Sequence, residues 1–122
     1  MREDHAIFSG HSILIVEDEP LIALDIHAAF SAAGASIVAA LDSREALRLT
    51  ALPDLSAAVV DIGLGAEDCC RVCKRLSDNG VPFVFYTGEA RTEVLRQWPN
   101  APVLTKLAGT KRVVEVVAGV LR

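Results

Sequence analysis

Asp61 closes an apolar run, Ala57-Ala58-Val59-Val60, and is followed at once by Ile62-Gly63-Leu64-Gly65, which sets a carboxylate at a strand end beside a flexible loop. A second run, Ile13-Leu14-Ile15-Val16, ends in two more carboxylates, Glu17 and Asp18. Acids gathered this closely repel one another by something like 4 kcal/mol per pair at an effective dielectric of about 20. A hard divalent cation relieves that repulsion. Mg2+ fits, because it takes oxygen ligands, keeps several waters and shares its site with a phosphate. The expected ligands are Glu17, Asp18, Asp61 and, two residues beyond Asp61, the backbone carbonyl of Gly63.

With a metal shielding it, Asp61 can attack phosphorus and form an acyl phosphate, since phosphoryl transfer asks chiefly for positioning and for neutralisation of the equatorial oxygens. Lys106 suits the role of charge partner. The Thr87 hydroxyl can hydrogen-bond a phosphoryl oxygen, and Gly88 beside it leaves space for the group. Nothing in the set resembles a general base, which suits a nucleophile already ionised at neutral pH.

These residues need a scaffold that brings them to one edge. Both apolar runs are short, β-branched and apolar throughout, as strands of a parallel sheet covered on both faces read. Strands are predicted at about 12–17, 36–41, 56–61, 82–86 and 102–105, and helices at about 20–33, 42–51, 66–78, 90–98 and 110–121. Pro20 opens the first helix, whose Ile22, Ile26, Ala29, Phe30 and Ala33 share a face, and Gly34 ends it. Asp42 with Glu45 makes a capping-box-like start for the second, and Asn79-Gly80 a left-handed stop for the third. Five β/α units imply a doubly wound parallel sheet, in which ligands bind beyond the carboxyl ends of the strands where strand order reverses. Glu17, Asp18, Asp61, Thr87 and Lys106 all fall at that edge.

With 122 residues, 52% hydrophobic and 23% charged, the chain has room for one domain and one core. A net charge of -4 without a basic stripe argues against nucleic-acid binding. No apolar stretch approaches the ~20 residues that span a bilayer, and the N-terminus lacks the apolar core of a signal peptide, so a cytoplasmic location away from membranes is expected. Residues 1–11 read as a flexible leader whose Ile7 and Phe8 are suited to dock on the domain. Cys69, Cys70 and Cys73 are too few and too close for a disulfide framework or a full metal site; Cys69, Val72, Cys73 and Leu76 follow the spacing of a buried helix face. Trp98 is expected to cover the end of strand five with Leu95. The last helix carries Val113, Val114, Val116, Val117, Val120 and Leu121, more than one stripe, which suits either wide packing on the sheet or an apolar face for a partner or a second copy in a homodimer.

The order and spacing of Glu17-Asp18, Asp61, Thr87 and Lys106 over residues 12–122 resemble the receiver domain of two-component response regulators. The resemblance implies a flavodoxin-like doubly wound (βα)5 receiver fold, α/β in class, with a five-stranded parallel sheet flanked by helices. It implies that Asp61 accepts a phosphoryl group from a sensor histidine kinase or histidine phosphotransferase, with Mg2+ held by Glu17, Asp18 and Asp61. Thr87 would be the switch residue and Lys106 the phosphoryl-sensing lysine. The chain would be a signalling phosphoprotein rather than an enzyme, with at most slow self-dephosphorylation.

A narrower likeness lies in Pro82-Phe83-Val84-Phe85-Tyr86-Thr87-Gly88, which is similar to the PFxFATG(G/Y) stretch of the alphaproteobacterial FAT GUY group of single-domain regulators. Tyr86 stands in place of Ala there, and Glu89 in place of Gly or Tyr. Val103 occupies the position of the aromatic switch residue of many receivers, as that group also tends to lack it. Leu107 stands where receivers generally carry a cis-bonded proline. A non-proline cis bond costs ~3 to 4 kcal/mol, so a trans bond is expected, and with it a displaced or more mobile Lys106 and a weaker readout. The expected function is that of a stand-alone receiver acting by protein contact as a phosphorylation-dependent switch or phosphate carrier. Two alternatives stand beside it: a degenerate receiver that binds partners without phosphate, and an aspartyl-phosphate phosphohydrolase of the haloacid dehalogenase kind. Against the latter, Gly63 occupies the position of the second Asp that such enzymes carry.

Overall fold

Each apolar run is cut by a stop signal, so strands and helices alternate along the chain. The structure, a computed structural model, describes residues 7–88 and 92–121. Residues 1–6 of the expected leader, Glu89, and residues 90 and 91 of the expected fourth helix lie outside them. The order is β1 (Ser12–Val16), α1 (Pro20–Ala32), β2 (Ser36–Ala40), α2 (Ser43–Leu49), β3 (Leu55–Val60), α3 (Ala66–Asp78), β4 (Phe83–Thr87), α4 (Thr92–Gln97), β5 (Val103–Thr105) and α5 (Thr110–Val120). Two 3-10 turns that the sequence did not announce follow β3 and β5, at Ile62–Leu64 and Lys106–Ala108.

The helix ends follow local chemistry. Asp42 caps α2 by accepting the Glu45 N–H at 2.8 Å, while the Glu45 carboxylate turns to Arg48. Beyond α3, Gly80 takes φ 72°, the Gly80 N–H donates to Ser77 O and the Val81 N–H to Leu76 O. That pair of bonds needs a left-handed residue, which glycine adopts without a Cβ clash. The chain is thereby turned into β4.

All neighbouring strands are parallel, in the order β2-β1-β3-β4-β5. This is the flavodoxin-like sheet with five helices that was expected. Alternation along the strands splits the core in two. Leu14, Val16, Ala58, Val60 and Phe85 pack against Leu49 of α2, Val72, Cys73 and Leu76 of α3, and Val94 of α4. On the other face Ile13, Ile15, Val59, Val84 and Tyr86 pack against Ile26 and Phe30 of α1 and Val113 and Val117 of α5. Cys69 and Cys73 are fully buried, as their spacing implied, and Cys70 is half-buried.

Phe8 has no exposed surface; its ring lies 5.3 Å from that of Phe30 and its N–H donates to Ala33 O. Phe8 thus pins the described residues ahead of β1 to the end of α1. Trp98 packs with Leu95 against the core that holds Phe85, and its ring meets Phe83 of β4 edge-on at 5.5 Å. On α5, Val113 and Val117 are buried and Val114, Val116 and Val120 half-buried against the sheet. Among the described residues no helix is long and apolar enough to cross a membrane.

Candidate acidic and phosphoryl-binding site

The parallel ladders run one residue beyond β1 and β3. Glu17 N–H donates to Ala40 O at 3.0 Å, and Asp61 N–H to Val16 O at 3.0 Å. The sheet itself therefore places Glu17 and Asp61 side by side, at the point where strand order reverses between β1 and β3. Both are buried, Glu17 to 1% and Asp61 to 4% exposure, while Asp18 is exposed at the rim. One oxygen from each of Glu17, Asp18 and Asp61 lies within 4.8 Å of the others.

Asp61 is held by its own loop. Its Oδ1 accepts the Gly63 N–H at 2.9 Å, so the carboxylate caps the Ile62–Leu64 turn and cannot swing freely. A Cβ on Gly63 would stand 3.2 Å from both Asp61 oxygens. A side chain at this position would therefore oblige the Asp61 carboxylate to give by a few tenths of an ångström. The described hydrogen bond of Gly63 is made by its N–H.

Lys106 completes the cluster from the far side of β4. Its ammonium lies 2.9 Å from Glu17 Oε1, 3.2 Å from Glu17 Oε2 and 3.0 Å from Asp61 Oδ2. The described residues contain no cis peptide, so the bond before Leu107 is trans as expected. The expected displacement of Lys106 is not seen. Two buried carboxylates attract the ammonium strongly enough to draw it across the sheet edge, and the trans bond does not prevent it.

The electrostatics follow from burial and pairing. Burial pushes Glu17 above the usual carboxylate range and Asp61 adds to this, against the pull of Lys106 and of the Glu19 N–H, which donates to Oε2 at 3.1 Å. Burial alone would lower Lys106, but its bonds to Glu17 and Asp61 outweigh that and hold it protonated above its ordinary range. Glu17 Oε1 is buried and receives the Lys106 charge at 2.9 Å without a well-directed hydrogen bond. A hard carboxylate oxygen with lone pairs to spare, beside two further carboxylates, suits a divalent cation with oxygen preference.

Thr87 ends β4, buried, in register with Thr105 of β5, and so stands at the same sheet edge. Gly88 follows it in the open. A Cβ there would meet no described atom within 4 Å, so the room beside Thr87 does not depend on glycine. One contact was missed by sequence reasoning: the buried Tyr86 hydroxyl donates to Lys106 O at 3.3 Å. Its only signal in the sequence was a tyrosine at a strand end where the similar motif carries Ala. Elsewhere, an open groove of about 850 Å³ between α3 and α4, lined by residues including Cys70 and Trp98, holds none of these groups.

The chain is similar in fold to the response regulator receiver protein from Sinorhizobium medicae WSM419, with TM-score 0.82, 21% identity and coverage of 92% of this chain and 94% of that one. A CheY-like receiver domain protein from Methanospirillum hungatei JF-1 gives TM-score 0.81 at 22% identity, over 93% of this chain and 94% of that one. Greater sequence likeness, 32%, is found to SdrG from Pseudomonas melonis Fr1, solved in a BeF3-activated conformation, with TM-score 0.71 and coverage of 93% and 98%. No curated protein sequence matches significantly. The sequence pattern of the response regulator receiver domain matches residues 13–115.

Proposed function

The chain belongs to the response regulator receiver domain family, and from that premise we propose that it accepts a phosphoryl group on Asp61 from a histidine kinase or histidine phosphotransferase. The observation that carries this reading is the pairing of a nearly buried Asp61 carboxylate with the Lys106 ammonium at 3.0 Å, beside a triad of acid oxygens within 4.8 Å of one another. Glu17, Asp18 and Asp61 would hold Mg2+, with Gly63 O as a further oxygen, and the ion when bound supplies charge neutralisation for the phosphoryl oxygens.

The remaining roles belong to the chain. Gly63 N–H and the Ile62–Leu64 turn orient the nucleophile, Lys106 neutralises a phosphoryl oxygen, and the Thr87 hydroxyl with Gly88 beside it reads the presence of the group from the end of β4. The product is an aspartyl phosphate that changes protein contacts. We read the chain as a cytoplasmic signalling phosphoprotein with at most slow self-dephosphorylation, acting as an interaction switch or phosphate carrier. The stretch Pro82-Phe83-Val84-Phe85-Tyr86-Thr87-Gly88 supports kinship with the FAT GUY group within the family.

The test of the partner class is transfer itself. A histidine phosphotransferase carrying labelled phosphohistidine is mixed with the protein in Mg2+; label moving to this chain, and retained on the donor when EDTA is present, is the expected result. Label that stays on donor proteins of both kinds, while the chain is folded, speaks for a receiver that binds without phosphate.

A further inference from the structure

Lys106 starts from the end of β5, and β4 lies between it and Asp61 at the end of β3. Two strand spacings are about 10 Å, so the lysine must spend most of its length crossing β4. A small rotation of its backbone would carry the ammonium away from both acids. What holds that backbone is therefore a functional question.

Packing supplies little. Leu107 is 97% exposed, and Thr105 and Ala108 are exposed as well. Besides the Lys106–Ala108 turn itself, two described contacts hold this backbone, both made by the last residues of β4. Thr105 pairs in register with Thr87, which fixes the chain just before Lys106. The Tyr86 hydroxyl donates to the carbonyl of Lys106 itself, which fixes the chain just after its Cα. The Tyr86 ring is sunk in the core with Ile15, Val84 and Val113, so the hydroxyl is presented by a rigid support. Burial, the leading cause, raises the phenol further above neutrality and keeps it a donor.

We propose that Tyr86 is a positioning residue for Lys106: its hydroxyl tethers the Lys106–Leu107 peptide so that the ammonium reaches Asp61 and Glu17. The functional consequence rests on the phosphoacceptor reading; the tether does not. Its described hydrogen bond ties Tyr86 to the site through Lys106, and the same strand that ends in the phosphoryl-reading Thr87 thereby also aims the lysine.

The test uses Tyr86→Phe, which keeps the ring and removes the hydroxyl, with melting temperature as the folding control. In the resting protein the ¹⁵N resonance of the Lys106 Nζ is expected to move toward that of a free lysine. With Mg2+ and beryllofluoride, affinity is expected to fall about three- to tenfold, the range of one modest hydrogen bond, and this loss is expected to vanish when both proteins carry Lys106→Ala. An unmoved Lys106 resonance, or an equal loss of affinity in both backgrounds, would overturn the proposal, the second because it assigns the effect to ring packing. If the unsubstituted protein takes neither beryllofluoride nor phosphoryl groups, the phosphoacceptor reading fails, while the resting-state resonance still judges the tether.

Discussion

Lys106 Nζ lies 3.0 Å from Asp61 Oδ2 although 45 residues and an intervening strand separate the two. The contact is a charge pair between a buried carboxylate and a largely buried lysine, shared with Glu17. Replacing Lys106 by Met leaves two buried carboxylates facing each other. We expect a loss of about 1 to 3 kcal/mol of stability in metal-free buffer, less than for a fully buried pair because the lysine side chain keeps 21% exposure. Millimolar Mg2+ should restore much of it, since the cation takes over the neutralisation. Thermal denaturation of both proteins with and without Mg2+ checks this; equal losses in both buffers would argue against a shared cation site.

Gly63 offers a sharper probe of the nucleophile. A Cβ added there would stand 3.2 Å from both Asp61 carboxylate oxygens. Gly63→Ala should shift that carboxylate by a few tenths of an ångström, slowing Mg2+-dependent phosphorylation roughly fivefold, equivalent to about 1 kcal/mol in the barrier. Because Gly63 is exposed, the melting temperature should change little. A phosphorylation rate equal to the parent's would show that the contact is easily relieved.

The elements and the cluster of Glu17, Asp18, Asp61 and Lys106 were legible because parallel strands write local signatures: apolar runs, terminal acids, a capping Asp42, a stop at Gly80. The 3-10 turns after Asp61 and at Lys106 were not, since three residues leave no period to detect. The aim of Lys106 was misjudged from Leu107 alone. Its position is set by partners 45 and 89 residues away, and no local rule reports such contacts.

Phe8 tests whether the segment before β1 belongs to the core. Its ring is fully buried against Phe30, so Phe8→Ala should cost about 3 kcal/mol by loss of contact and cavity formation. Urea denaturation measures it. A cost under about 0.5 kcal/mol, as at exposed sites, would mean that the segment does not hold that position in solution.

The three cysteines should differ in reactivity. Burial raises the Cys70 thiol, and the hydrogen bond with Cys69, followed by burial, raises Cys73. Little thiolate is therefore present at neutral pH, and thiolate is the reactive form. With a chromogenic disulfide reagent, half-buried Cys70 should react slowly in the native protein and Cys69 and Cys73 only on unfolding. Raising the pH through the ordinary thiol range should accelerate Cys70 less than a free thiol. Rapid native labelling of all three would contradict the packing of α3.

The central claim is that Asp61 is the phosphoryl acceptor. Its most direct test is intact mass of the protein after incubation with acetyl phosphate and Mg2+, beside Asp61→Asn and an EDTA control. One added phosphoryl group on the parent protein, absent from Asp61→Asn and from the EDTA sample, is the predicted result. Undiminished addition to Asp61→Asn, or none to the folded parent protein with either acetyl phosphate or a phosphorylated kinase, would contradict it.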